Sequence, residues 1–197
     1  GVGTAEEILY LLGVLLHPDN AGQPMPMIMT GPPGSEDYFG QIDDFVGKTL
    51  GARAQARYQV IIDDPVAVSR AMTTGLENVR QYRREHGDAY YFNWRLKIDA
   101  AFQTPFVATH ESMAALEIHD SLPTHELAAN LRRVFSGIVS GNVRTDTAKA
   151  IEALGPFRIS ASPGIMPLLD ALLRAFVDQG RMKLNAAEYV PCYEVLA

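Results

Sequence analysis

The chain has 197 residues, 47% of them hydrophobic and 20% charged, with a formal net charge of −6. That composition supports one or two globular cores, and its acidic balance argues against a broad surface for nucleic acid or anionic lipid. The single cysteine, Cys192, excludes an internal disulfide framework and fits a reducing cytoplasm, and no apolar run approaches the roughly 20 residues that span a bilayer.

The first seven residues, Gly1-Val2-Gly3-Thr4-Ala5-Glu6-Glu7, read as a tight turn opening a helix. Glycine permits close approach of backbone to a ligand. The first N–H groups of a helix lack internal partners and, with the macrodipole, favour a phosphate. Gly1, Gly3 and Thr4 are therefore candidate phosphate-binding residues, with Glu7 one turn further in and within reach of chemistry beside the phosphate. The same residues also spell a capping box, in which Thr4 and Glu7 satisfy each other's backbone donors. Both readings stand on the sequence.

Residues 4–16 are predicted as a helix, with Ile8, Leu11, Leu12, Leu15 and Leu16 on one face. His17-Pro18-Asp19-Asn20 ends it. Pro24 to Thr30 reads as a buried parallel strand with Pro26 near its start, and Thr30 to Ser35 as a loop at its carboxyl end, where open α/β sheets bind ligands. A helix from Ser35 or Asp37 places Tyr38, Ile42, Phe45 and Val46 inward, with Gly47 and Gly51 weakening its end. Tyr58 to Ile62 is the next strand. Asp64 before Pro65 fits an N-cap with proline at the first helical position, and a helix runs over 65–86. It ends in the basic run Arg80 to His86, where cations favour the helix dipole or form an anion site.

Tyr90 to Ile98 is predicted as a strand by its aromatic, alternating character. Residues 99–123 are mixed, with a short helix near Glu111 to Leu116. His110, His119 and His125 lack metal-ligand spacing and read as loop or surface histidines; no metal is expected. Thr124 to Asn142 is a helix with Leu127, Leu131, Val134, Phe135 and Ile138 on one face. Its Ser136, Gly137, Ser140 and Gly141 form a ridge suited to close helix packing, within the chain or across an oligomer. Residues 147–154 form a short helix and Phe157 to Ile159 a brief strand. Ser162-Pro163 opens an amphipathic helix burying Ile165, Leu168, Leu169, Leu172, Leu173, Phe176 and Val177. Tyr189 to Val195 is a last strand near a sheet edge, because of Pro191. Alternating helices and strands imply an α/β fold.

Gly1 to Glu7 resembles the end of the PGGxGTxxE motif of the LOG family, whose members cleave nucleoside monophosphates at the N-glycosidic bond. The run Gly3 to Gly13, with Tyr38-Phe39, Ile61-Ile62-Asp63-Asp64, Gly87-Asp88-Ala89-Tyr90, Phe92-Asn93-Trp94 and Phe135-Ser136-Gly137-Ile138-Val139, is similar to its bacterial nucleotide 5′-monophosphate nucleosidases across essentially the whole chain. The order of elements makes residues 1–87 the tail of a doubly wound α/β sheet and 88–197 a smaller α+β accessory domain, and the resemblance implies that the first is the C-terminal part of a Rossmann-like nucleotide-binding domain. It implies hydrolysis of purine and pyrimidine nucleoside 5′-monophosphates to free base and ribose 5-phosphate. Glu7 would be catalytic, and Gly1, Gly3 and Thr4 would hold the phosphate. It further implies a cytoplasmic homo-oligomer, dimer or tetramer, and a guanine alarmone effector for which Arg80, Arg83 and Arg84 are candidate ligands. Neither nucleic acid nor membrane is an expected partner.

In that family a Pro-Gly pair and several βα units stand before Gly1, and a catalytic arginine lies among them. The 197 residues alone are therefore expected to be the inactive C-terminal portion of a longer polypeptide. No cofactor is expected: the chain's Lys48, Lys97, Lys149 and Lys183 sit in no setting for a Schiff base, which disposes of the decarboxylase label sometimes attached to the family. Two alternatives remain, a phosphoribohydrolase that activates cytokinin ribotides and a non-catalytic nucleotide-binding regulatory module.

Overall fold

Apolar residues at helical spacing shape the first element of the computed structural model, which describes residues 1–88, 95–182 and 189–196. Helix α1 (Val2–Leu15) starts two residues earlier than expected and buries Ile8, Leu9, Leu12 and Leu15. The Thr4 N–H donates to the Gly1 carbonyl at 3.1 Å. Thr4 thus lies inside the first turn, whereas a capping box needs it before that turn.

The chain divides into two compact units. The middle unit is Val14–Ile98; the terminal unit joins Gly1–Gly13 to Asp99–Ala197.

In the middle unit a 3₁₀ turn (Pro18–Asn20) follows α1. Asn20 is buried, and its side chain closes the unit on itself. Its amide donates to the Val14 and Lys97 carbonyls at 2.6 and 2.8 Å, and its oxygen accepts from the Lys97 N–H at 2.7 Å. A buried amide must find such partners. Strand β1 (Ile28–Gly31) pairs parallel with β2 (Gln59–Ile62), Ile28 opposite Gln59. The strand begins after Pro26, which has no N–H to give a ladder. Helix α2 (Glu36–Leu50) crosses between the strands and buries Tyr38, Ile42, Phe45 and Val46, the expected face. Gly51, at φ 81°, ends it, and one extra turn, α3 (Ala52–Gln55), follows. Tyr58 donates to Asp43 Oδ1 at 2.6 Å, and burial, with that bond, raises its phenol far above the usual range.

Helix α4 (Pro65–Glu85) starts as expected: Asp64 Oδ1 accepts the Ala67 N–H at 2.8 Å, with Pro65 at the first position. Asp64→Ala removes that acceptor. It should cost about 1 kcal/mol of folding stability, read as a lower midpoint in urea with an unchanged slope; an unchanged midpoint contradicts the cap. Gly75 is needed within α4 because a Cβ there would lie 2.5 Å from the Pro26 ring. Of the strand expected over Tyr90 to Ile98, residues 90–94 lie outside the described residues, and 95–98 form no strand. Their backbone instead meets side chains: the Arg95 carbonyl accepts from Gln23 at 2.9 Å, and Lys97 bonds Asn20.

The terminal unit holds α5 (Ala100–Gln103), α6 (His110–Ala114), β3 (Glu117–Ile118), α7 (Thr124–Val143), α8 (Thr145–Leu154), β4 (Phe157–Ala161), α9 (Ile165–Asp178) and β5 (Tyr193–Leu196). Its sheet has the order β3-β4-β5, every pairing parallel. That corrects the α+β expectation, since strands joined through helices come out parallel and give an α/β unit. β5 is an edge strand, as Pro191 suggested. Phe157 and Ile159 of β4 are fully buried, with Leu131, Phe135 and Ile138 of α7 and Leu169, Leu173 and Phe176 of α9. The small-residue ridge of α7 is used inside this unit: a Cβ on Gly137 would strike Met113, and one on Gly141 would strike Cys192 and Ile151. The Cys192 thiol is buried, and burial pushes it up to about 11, which makes it a packing group.

His119 stands in the loop after β3, as expected, whereas His110 opens α6 and His125 lies in α7; all three are half-buried. His110 Nε2 lies 2.8 Å from the Gly155 carbonyl, and His119 Nε2 lies 2.9 Å from Ser160 Oγ. His125 stands in the first turn of α7 with its side chain 12% exposed. Among the described residues no helix is long and apolar enough to cross a membrane.

Candidate functional site

The terminal unit contains a cleft of about 500 Å³ lined by Gly3, Glu6, Glu7, Tyr10, Leu11 and Arg132. Five of the six come from α1 at spacings of three and four, which stack side chains on one helical face. The sixth comes from α7. Gly3 and Glu7 were singled out by the sequence; Gly1 and Thr4 lie outside the cleft lining. A Cβ on Gly1 would fall onto the Arg181 carbonyl oxygen, so glycine there answers a backbone contact. The Val2 and Gly3 N–H groups stand at the helix start, where no preceding turn supplies acceptors.

Glu7 is exposed and Glu6 half-buried. Burial raises the Glu6 carboxyl above the usual carboxylate range, opposed by Arg132 and then by a hydrogen bond from Ser136, one turn beyond Arg132 on α7. The Arg132 guanidinium carbon sits 5.3 Å from the centre of the Tyr10 ring, cation–π distance. The Tyr10 ring in turn meets Phe102 edge-on, 5.1 Å between centres and 89° between planes. Gly13 makes that possible, because a Cβ there would clash with the Phe102 ring. The cleft thus juxtaposes two carboxylates, one guanidinium and a phenol on an aromatic stack.

Because the native state holds the Glu6 proton to higher pH than an unfolded chain does, the stability this proton contributes is full below the ordinary carboxylate pKa. It is lost as pH rises through the raised one. Glu6→Gln removes that loss. Melting temperatures taken from about pH 4 to 8 should show the variant's advantage over the wild type growing with pH and then levelling; an advantage that shrinks with pH contradicts the assignment.

The middle unit has its own cavity of about 560 Å³, lined by Met25, Pro26, Ile28, Arg57, Gln59 and Arg70 among others. Among the described residues no carboxylate lines it. Its Arg57 donates to the Ala21 and Gln23 carbonyls at 3.3 and 3.0 Å. In the loop after β1, Ser35 is buried against Gly31, and Asp63 at the end of β2 takes φ 52° while its N–H donates to the Gly31 carbonyl. The three candidate effector arginines do not present one exposed group. Arg83 is buried and its Nε donates to Asp88 Oδ2 at 2.7 Å; Arg80 and Arg84 face solvent.

Sequence reading passed over Glu6 in favour of Glu7 and missed Tyr10 and Arg132. The stripe Gly3, Glu6/Glu7, Tyr10/Leu11 was visible as a helical face. Nothing local to Arg132 marks it, because its place in the cleft depends on which helix α7 packs against.

A family model described as pyrimidine/purine nucleotide monophosphate nucleosidase, C-terminal, matches residues 76–196. Three curated proteins named pyrimidine/purine nucleotide 5′-monophosphate nucleosidase are similar to the chain, from Escherichia coli strains K12, O6:H1 and O157:H7. Each is 50% identical to it over 195 residues, covering 99% of this chain and 43% of the relative. The chain therefore spans less than half the length of the relatives it matches. The match reaches from the second half of α4 through β5, and so takes in α7 with Arg132 and Ser136. On that match the chain belongs to the pyrimidine/purine nucleotide monophosphate nucleosidase family, in its C-terminal region.

Proposed function

We propose that the full-length protein carrying this chain hydrolyses the N-glycosidic bond of purine and pyrimidine nucleoside 5′-monophosphates, giving free base and ribose 5-phosphate. The observation that carries this reading is Glu7: an exposed carboxylate on the cleft face of the motif helix, in a chain half identical to nucleosidases over 99% of its length.

In the reaction the bond from C1′ to the base nitrogen breaks with its electron pair leaving on the base. Positive charge develops on the ribose, and water adds at C1′. Glu7 stabilises that charge, orients the water and accepts its proton, which it then returns to solvent; the base takes up one proton from solvent as it leaves. An anion fixed beside developing positive charge is electrostatic catalysis, as in glycosidases. The helix start cradles the phosphate through the Gly3 N–H inside the cleft, with Gly1 and Thr4, which lie outside its lining, completing the motif on either side.

The same reading makes residues 1–87 the C-terminal part of a LOG-type, Rossmann-like domain, a view supported by the parallel β1–α2–β2 crossover. It makes 88–197 the accessory domain, in keeping with a C-terminal family model over 76–196. A cytoplasmic homo-oligomer, with a guanine alarmone as effector, completes it; light scattering of the full-length protein checks the assembly. The 197 residues alone are expected to be inactive.

The deciding experiment is base release by the full-length protein from AMP, GMP, CMP and isopentenyl-AMP, with Glu7→Ala beside it. Release from the first three supports the nucleosidase. Release from isopentenyl-AMP alone supports the cytokinin enzyme. Nucleotide binding by calorimetry with no release supports a regulatory module.

A further inference from the structure

The cleft confronts its ligand with a charge problem. Glu6 and Glu7 both line it, and a sugar phosphate adds about two more negative charges near pH 7. Carboxylate and phosphate in one cleft repel unless a cation stands between them. The Gly3 N–H at the helix start offers partial charge only. Among the described residues the fully charged donor in the lining is Arg132, brought by α7 from outside the sequence motif.

Arg132 is held in a way that suits a ligand. Among the described residues what holds it is the face of the Tyr10 ring, with Glu6 acting on it through space and bonded instead to Ser136. The contact is with one ring face, 5.3 Å from the guanidinium carbon, and a guanidinium carries five N–H donors in a fixed fork, more than one ring face engages. Tyr10 is itself fixed edge-on by Phe102, so the platform cannot turn freely. The neighbouring Arg133 serves elsewhere: it donates to Asn130 Oδ1 at 3.1 Å and lines a separate cavity with Asp99, Phe102 and Glu126. The two adjacent arginines thus diverge, and only one enters the Glu7 cleft.

We propose that Arg132 is a substrate-binding residue of this cleft, taking the 5′-phosphate oxygens of the nucleotide, with Tyr10 as the platform that aims it. This rests on the reading of the cleft as the nucleotide site. The amide cradle and Arg132 then grip one phosphate from two helices. Glu7 is left facing the ribose, and the phosphomonoester becomes the feature by which nucleotide is chosen over nucleoside. A planar fork of donors suits phosphate oxygens better than a lysine ammonium does.

The test uses the full-length protein and ribose 5-phosphate as the probe, by calorimetry, with kinetics on AMP and adenosine. A charge-assisted hydrogen bond to phosphate corresponds to an affinity loss of about 10- to 100-fold. Arg132→Ala should lose that much affinity for ribose 5-phosphate, raise KM for AMP more than it lowers kcat, and narrow the preference for AMP over adenosine. Arg132→Lys should recover part of the binding. Ribose 5-phosphate affinity within about two-fold of wild type in a variant that melts normally overturns the proposal. If Arg132→Ala fails to fold, the same comparison is made with Arg132→Gln, which keeps the stem and hydrogen-bonding head without the charge. The proposal and the reaction fail separately. Base release with unchanged ribose 5-phosphate binding in the variants removes Arg132 and keeps the nucleosidase. Arg132-dependent binding without base release from any nucleotide removes the reaction and keeps the site.

Discussion

Glu7→Ala in the full-length protein is expected to lower kcat for base release from AMP by about 10²- to 10⁴-fold, the range for losing a positioned general base. The variant should fold normally. Glu7 is exposed at the mouth of the cleft, so its truncation opens no core cavity, and surface changes of this kind stay within about 0.5 kcal/mol. Ribose 5-phosphate should still bind, because the proposed phosphate ligands are other residues. Glu7→Gln should be nearly as inactive, since an amide keeps the shape and loses the charge that opposes the developing cation. The checks are initial rates of base release and a thermal melt on the same preparation. A kcat within a few-fold of wild type, in a variant with an unshifted melt, would sink the catalytic assignment while leaving the family assignment standing.

The second large effect concerns folding. Phe135→Ala should destabilise the terminal unit by about 3–5 kcal/mol, the cost of removing a buried aromatic side chain and leaving a cavity. Phe135 is fully buried on α7, where Leu131, Val134 and Ile138 are equally inaccessible. It lies on the face opposed to solvent, between Arg132, which lines the cleft, and Ser136, which bonds Glu6. A loosened α7 should therefore weaken ribose 5-phosphate binding as well as stability, although Phe135 touches no ligand. Urea unfolding followed by circular dichroism measures the first, and calorimetry the second. A loss below about 1 kcal/mol, the typical cost of an ordinary substitution, would mean that the packing around this ring differs from the one described.

Some of this was readable from residue order and some was not, for definite reasons. The face of α7 from Leu127 to Ile138 and that of α9 from Ile165 to Val177 were visible because apolar residues recur over several turns. Asp64-Pro65 announced the start of α4 because cap and proline both act within one turn. Four-residue α3 carries too few residues for periodicity to register, and β3 has only two. Thr4 misled because S/T-x-x-E spells a cap wherever it occurs, while the helix had already begun at Val2. Arg95 to Lys97 alternates like a strand, but the backbone there bonds Gln23 and Asn20, partners more than seventy positions away. Glu7 was legible as part of a motif; Arg132 was not, because only tertiary packing lays it on Tyr10.

The uniform direction of the strands carries a kinetic consequence. Among the described residues every ladder is parallel, so neither sheet contains a hairpin that could zip from a tight turn. Each pairing must wait until a helical crossover has closed a long loop, and chains of this kind reach their native state slowly, with unpaired edges meanwhile open to wrong neighbours. Helices α7 and α9, whose contacts along the chain are local, are the natural first arrivals, and the strands assemble on them afterwards.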